Sequence, residues 1–220
     1  VETINNSLQA QLVMNDPQDA LVGSLMLSAM YGALFHQSFA VNLGQWSLTD
    51  WPAGLQPVLA ASYYDPASEE AIKQNFAEKA EELCLEKQDV PQAWPAWSRL
   101  SHQSETSLKT IMAQELGMQT DAQPDTLRLM VCGARSGQRA LELTRYLDDV
   151  EVVAVDESLA NIARATRLAE DLEISNIVFW PWSIARPFVA DGHQAVSYNP
   201  LTLPTSREGE SSGGQGDVTQ

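Results

Sequence analysis

Apolar positions recur at helical spacing through the first half of the chain and gather into short runs in the second. Asp16-Pro17 is a helix start, with Asp as N-cap and Pro at the first helical position, and the apolar pattern carries that helix to about Gln37. Residues 42–54 (NLGQWSLTDWPAG) are rich in turn formers, and 56–64 form a short helix. Asp65-Pro66 repeats the start signal. Ile72, Phe76, Ala80 and Leu83 then share one face, and Glu69, Lys73, Glu78, Glu81 and Glu82 a solvated one. Two prolines break the pattern within 90–97 (VPQAWPAW), and Leu108 to Leu116 is a further helix. The polar stretch 119–125 (QTDAQPD) is the expected domain boundary, so residues 1–120 read as a mostly helical N-terminal domain.

From Leu127 the spacing changes. Residues 127–132 (LRLMVC), 151–156 (EVVAVD) and 177–180 (IVFW) are strand-like, and the second is apolar enough to be covered on both faces. Between them, 138–147 is a helix with Ala140, Leu143, Thr144 and Leu147 on one side. Ser158 caps another, whose stripe is Leu159, Ile162, Ala163, Leu168, Ala169 and Leu172. This alternation predicts an α/β, Rossmann-like unit over residues 126–196, a parallel right-handed βαβαβ arrangement. Residues 191–196 open an expected fourth strand. Beyond them the period vanishes, and 197–220 has the Ser-, Gly- and Thr-rich composition of a disordered tail. The abrupt onset suggests non-native sequence at a truncated reading frame, and Val1 reads as a fragment boundary.

Charge narrows the function. Thirteen Lys and Arg stand against 29 Asp and Glu in 220 residues, a formal net charge of −16. No basic run exists to neutralise phosphates, which argues against nucleic acid and against an anionic membrane surface. The apolar stretch 20–35 falls short of the roughly 20 residues a spanning helix needs, and reads as a buried helix. Two distant cysteines, Cys84 and Cys132, fit a reducing, cytoplasmic setting better than a disulfide scaffold. Cys132, ending a strand, reads as inert core. His36, His102 and His193 have no ligand-spaced neighbours, so no metal site is expected.

The chemistry concentrates in residues 131–138 (VCGARSGQ). Gly133 and Gly137 bracket a turn between a strand and a helix, where backbone N–H groups at a helix N-terminus favour negative charge. Asp156 ends the next strand about 20 residues later, where an acid in a doubly wound fold accepts from paired ribose hydroxyls. The plainer reading is a structural turn, with Asp156 capping the following helix. Ser136 is not a hydrolase nucleophile, because GARSGQ lacks the G-x-S-x-G spacing.

The glycine spacing departs from the dinucleotide G-x-G-x-x-G pattern. Residues 131–143 (VCGARSGQRALEL), 153–160 (VAVDESLA) and 172–179 (LEISNIVF) instead resemble three successive blocks of class I S-adenosylmethionine-dependent methyltransferases. The likeness is to a bacterial subgroup with a helical or tetratricopeptide-type N-terminal region. WPAW at 94–97 resembles that subgroup's tyrosine–proline–any–tryptophan element. It spans about residues 50–195 and is strongest from 127 to 180.

The resemblance implies S-adenosyl-L-methionine as cofactor. Gly133, Ala134 and Gly137 would approach its methionyl part, Asp156 its ribose, and Glu157 and Ser158 would lie beside the adenosine; Arg135 and Ser136 belong to the same cofactor-binding loop. Trp182 and Ser183 would contact adenine, although members often carry an aspartate near Ser183. Arg135 replaces the family's middle glycine. Its side chain either points away or fills the methionine pocket with a like charge near the sulfonium. The family has about seven strands and places its acceptor site beyond the fourth, so this chain would lack the acceptor half.

No catalytic residue is assigned, and the methyl acceptor, a small molecule or a protein, is not legible. Trp46, Trp51, Trp94 and Trp97 suit helix packing better than an acceptor pocket. Two other readings stay open. One is a noncatalytic protein that binds a partner through the helical domain and carries a degenerate Rossmann-like unit. The other is an NAD(P)-dependent oxidoreductase, disfavoured by the glycine spacing.

Overall fold

The computed structural model describes residues 2–14, 16–83, 97, 99–101, 104–119 and 124–190. Cys84, Trp94, the proline-rich stretch before Trp97, His102, His193, the expected fourth strand and residues 197–220 lie outside them, as does most of the expected linker.

The helical half opens with α1 (Glu2–Val13) and α2 (Gln18–Ala29), which pack together through Leu8, Leu12, Leu21 and Leu25, all essentially inaccessible to solvent. Pro17, not Asp16, is the N-cap of α2, and Asp16 makes no side-chain cap. The helix ends at Ala29 rather than near Gln37. The chain turns through Gly32, and this lets Leu34 and Phe39 enter the same core, both fully buried. A short α3 (Ala40–Leu43) leads to Trp51, which stacks edge-on against Trp46 at 5.3 Å and donates its indole N–H to the Tyr64 hydroxyl at 2.9 Å.

Asp65-Pro66 does not start a helix. Helical backbone runs through α4 (Gln56–Leu59), a π turn over Ala60–Tyr64, and α5 (Asp65–Glu82). A proline inside an α-helix removes one N–H and crowds the carbonyl four residues back. The wider turn, with Asp65 N–H donating to the Ala60 carbonyl, carries the helix past Pro66.

The second half is a three-stranded parallel sheet in the order β1 (Leu127–Cys132), β2 (Val150–Asp156), β3 (Ile177–Pro181). It is a mixed α/β arrangement compatible with a Rossmann-like unit. On one face, Val152, Ala154, Ile177 and Phe179 pack with α7 (Gln138–Tyr146) and α8 (Leu159–Asp171). On the other, Val153, Val155, Val178 and Trp180 pack with Ala185 of α9 (Trp182–Ala190), a helix the periodicity did not announce. Strand β1 is covered on one side only. Leu127, Leu129 and Val131 face the core, whereas Arg128, Met130 and Cys132 are exposed. The expectation that Cys132 is core is therefore wrong: α9 lies over β2 and β3 and leaves that face of β1 open.

On α7, Leu141 is fully buried alongside Ala140 and Thr144. Around α8 the apolar stripe is only part of the buried surface: Asn161 is buried beside Asp156, and Arg167 against α5, which packs on this helix. Arg167 reaches Asp171 at 2.6 Å, Glu69 at 3.1 Å and Asp65 at 3.5 Å, tying α5 to α8. Burial pushes the Asp65 carboxyl above its usual range, and the Arg167 guanidinium only partly offsets that. Helix α6 (Leu108–Leu116) also packs on the sheet unit, through Leu108 and Ile111. Among the described residues, no helix is long and apolar enough to cross a membrane.

Candidate functional site

Strand register brings the candidate residues to one edge. Cys132 pairs with Val155 and Asp156 with Pro181. Gly133, Asp156 and Trp182 therefore leave three neighbouring strands at their carboxyl ends, where open α/β sheets bind ligands.

The loop from Gly133 to Gly137 is tightly determined. Its backbone enters the left-handed region at every second residue, with φ of +68° at Gly133, +55° at Arg135 and +82° at Gly137. Glycine takes this conformation freely, whereas at Arg135 it costs about 1–2 kcal/mol. Ala134 N–H donates to the Val155 carbonyl and Gly137 N–H to the Ala134 carbonyl, each at 3.0 Å. Arg135 N–H donates to Asp156 Oδ2 at 2.8 Å. The acid and the loop thus form one unit.

The two glycines serve different ends. A Cβ on Gly137 would lie 2.5 Å from the Ala165 Cβ and 3.2 Å from the Phe179 ring, so this glycine lets α7 close onto α8 and β3. A Cβ on Gly133 would meet nothing within 4 Å, so its outward side is open to a ligand.

Asp156 is heavily used within the protein. Beyond Arg135, its Oδ1 accepts from Ser158 N–H at 2.9 Å and from Asn161 Nδ2 at 3.2 Å. Ser158 is buried and caps α8, its hydroxyl accepting from Asn161 N–H at 3.4 Å. Its side chain is committed to the fold. Asn161 was not singled out by sequence; its position five residues after the acid, in the first turn of a capped helix, is the signal that could have found it. Ala134 and Ser136 are buried, Arg135 and Glu157 exposed. Trp182 and Ser183 are half-buried in the first turn of α9, and Trp182 packs against the core on that face.

Trp97 also belongs to this edge. Its indole N–H donates to the Ser136 carbonyl at 2.9 Å. Trp46 and Trp51 pack within the helical half, as expected of tryptophans at helix junctions. Two open concavities lie elsewhere. One, of about 550 Å³, involves Thr144 and Ser175 before β3; the other, of about 490 Å³, involves Asp16 and Trp46. Neither contains a loop residue. Among the described residues, no cluster of His, Cys, Asp and Glu is arranged to hold a metal.

No protein-family model matches the chain, and no curated protein does. Among solved structures it is similar to the crystal structure of the 4+2 cyclase SpnF, with a TM-score of 0.25 and 15% identity. That match covers 52% of this chain and 42% of SpnF, so the chain spans less than half of it. A likeness this slight carries no argument about activity.

Proposed function

We propose that the sheet unit binds S-adenosyl-L-methionine and that the protein is a methyltransferase of the class I type, acting on a small-molecule or protein acceptor. The observation that carries this reading is the bond from Arg135 N–H to Asp156, which joins a glycine-bracketed loop to an acid at the carboxyl ends of parallel strands. The open side of Gly133 fits a ligand that approaches backbone closely. Asp156 retains acceptor capacity, since a carboxylate offers about four lone-pair sites and three donors are engaged. The cofactor would supply an already activated methyl group. The protein's share is alignment, with the loop at the methionyl end and Asp156 at the ribose. No general base is assigned.

One observation favours a noncatalytic partner-binding reading: the three donors that Asp156 already accepts give it a sufficient role as a structural clamp. The strongly acidic chain gives neither reading a nucleic-acid partner. A cytoplasmic setting, and a protein partner for the helical half, complete the proposal.

Calorimetric titration with S-adenosylhomocysteine and with NAD separates the readings. Saturable binding of the first, lost in Asp156→Ala, is expected. Binding of NAD alone would mean an oxidoreductase, and binding of neither would favour the noncatalytic protein.

A further inference from the structure

We infer that residues 97, 99–101 and 104–109 act as a strap that positions the glycine loop, with Trp97 as its positioning residue. Its contacts follow α7 in the same direction, from Trp97 at the loop to Lys109 ahead of β2. Trp97 holds the Ser136 carbonyl at 2.9 Å. Two residues on, the Arg99 carbonyl accepts from Gln138 Nε2 at 3.4 Å. Ser101 donates to Glu142 Oε1 through its hydroxyl at 2.7 Å and its N–H at 3.1 Å. Thr106 pairs with the end of α7 as a one-residue bridge, its N–H donating to the Tyr146 carbonyl at 2.8 Å and its carbonyl accepting from Asp148 N–H at 3.1 Å. Ser107, Leu108 and Lys109 all donate to Asp149, just ahead of β2.

The strap begins at the loop and ends at the strand that carries Asp156. Asp156 and Trp97 therefore hold consecutive residues of the loop, the Arg135 N–H and the Ser136 carbonyl. The loop needs such restraint. Its residues are small apart from Arg135, three of its five backbone conformations are left-handed, and one of those belongs to a non-glycine. Trp97 is half-buried and packs on the sheet core, so its indole N–H is held in place rather than free to seek water. A tryptophan used only for packing would not need that N–H; here it fixes the peptide next to Gly137.

The test is Trp97→Phe in the full chain, which keeps a ring and deletes the donor. Amide hydrogen exchange is followed at Ala134, Arg135 and Gly137, with β2 and α8 as internal references. Loss of one neutral hydrogen bond should speed loop exchange about three- to tenfold and leave β2 and α8 unchanged. Glu142→Ala, which frees the strap at Ser101, should produce a smaller rise at the same amides. Unchanged loop exchange in both variants, or an equal rise throughout the sheet unit, overturns the inference.

The ligand arm rests on the cofactor reading above. S-adenosylhomocysteine affinity should fall by a similar factor in Trp97→Phe. If neither protein binds it while loop exchange still rises, the positioning role stands and the cofactor reading falls.

Discussion

Gly133 and Gly137 share a backbone conformation and differ in surroundings, so alanine at each separates conformational strain from packing. Both substitutions place a Cβ at positive φ, +68° and +82°, at a cost of about 1–2 kcal/mol. At Gly133 the new methyl meets nothing within 4 Å, and that is the whole expected loss of stability. At Gly137 it lies 2.5 Å from the Ala165 Cβ, with the Ala165 Cα and the Phe179 ring both at 3.2 Å. Ala165 and Phe179 are buried, and Ala165 is a single rigid methyl on a helix. Nothing can swing aside, so overpacking adds about 1–3 kcal/mol. Gly137→Ala should then cost about 2–5 kcal/mol in urea unfolding at constant m. Ala165→Gly removes the contact at 2.5 Å, at about 1 kcal/mol for a glycine in a helix. In a double-mutant cycle the pair should couple favourably by about 1–2 kcal/mol. Equal losses at the two glycines, or no coupling to Ala165, would refute the assignment of Gly137 to close helix packing. Ligand binding should rank the other way. Gly133→Ala should weaken S-adenosylhomocysteine in a protein that remains folded, because its methyl fills the open side of the loop.

Asp149→Ala should cost about 1–3 kcal/mol, since the first N–H groups of α6 lose their acceptor, as measured by urea unfolding. Burial raises the Asp149 pKa, but bonds from Ser107, Leu108 and Lys109 outweigh it and hold the group below its usual 3.8. Its contribution is therefore present above pH 3.8 and lost as pH falls through the lower folded value, so the cost of Asp149→Ala should shrink in acid. Arg167→Met should cost about 2–4 kcal/mol, less than for a fully buried pair because Asp65 and Asp171 keep solvent contact. Asp65 behaves oppositely to Asp149: its raised pKa means that stability is lost as pH rises, so Arg167→Met should be milder at pH 4 than at pH 7 in the same assay. Arg135→Gly should raise the melting temperature by a few degrees, by relieving about 1 kcal/mol of left-handed strain.

Much of the sheet unit was legible because its signals are local. Unbroken apolar runs marked β2 and β3, Ser158 stood where a cap belongs, and two glycines bracketed a turn. The helical half was harder to read. Asp65-Pro66 resembles a helix start in any window, and only the π turn ahead of it lets the helix continue. The periodic stretch after Asp16 runs past residue 29, but the burial of Leu34 and Phe39 required a turn there. Cys132 is apolar by type and strand-like by context. Its exposure depends on where α9 lies.

The parallel α/β unit, the loop between β1 and α7 and the place of Asp156 at the end of β2 were readable from sequence, because strand runs and turn chemistry are written in short spacings. The chain's net charge of −16 argues against a nucleic-acid partner without any coordinates. Tertiary structure decided how these parts hold one another. Asp156 meets the Arg135 N–H because β1 and β2 are in register, Gly137 is required because α8 crosses it, and Trp97 reaches Ser136 because a strap of distant residues lies along α7. Such contacts join residues roughly 20 to 40 positions apart, a separation at which neither period nor propensity carries information.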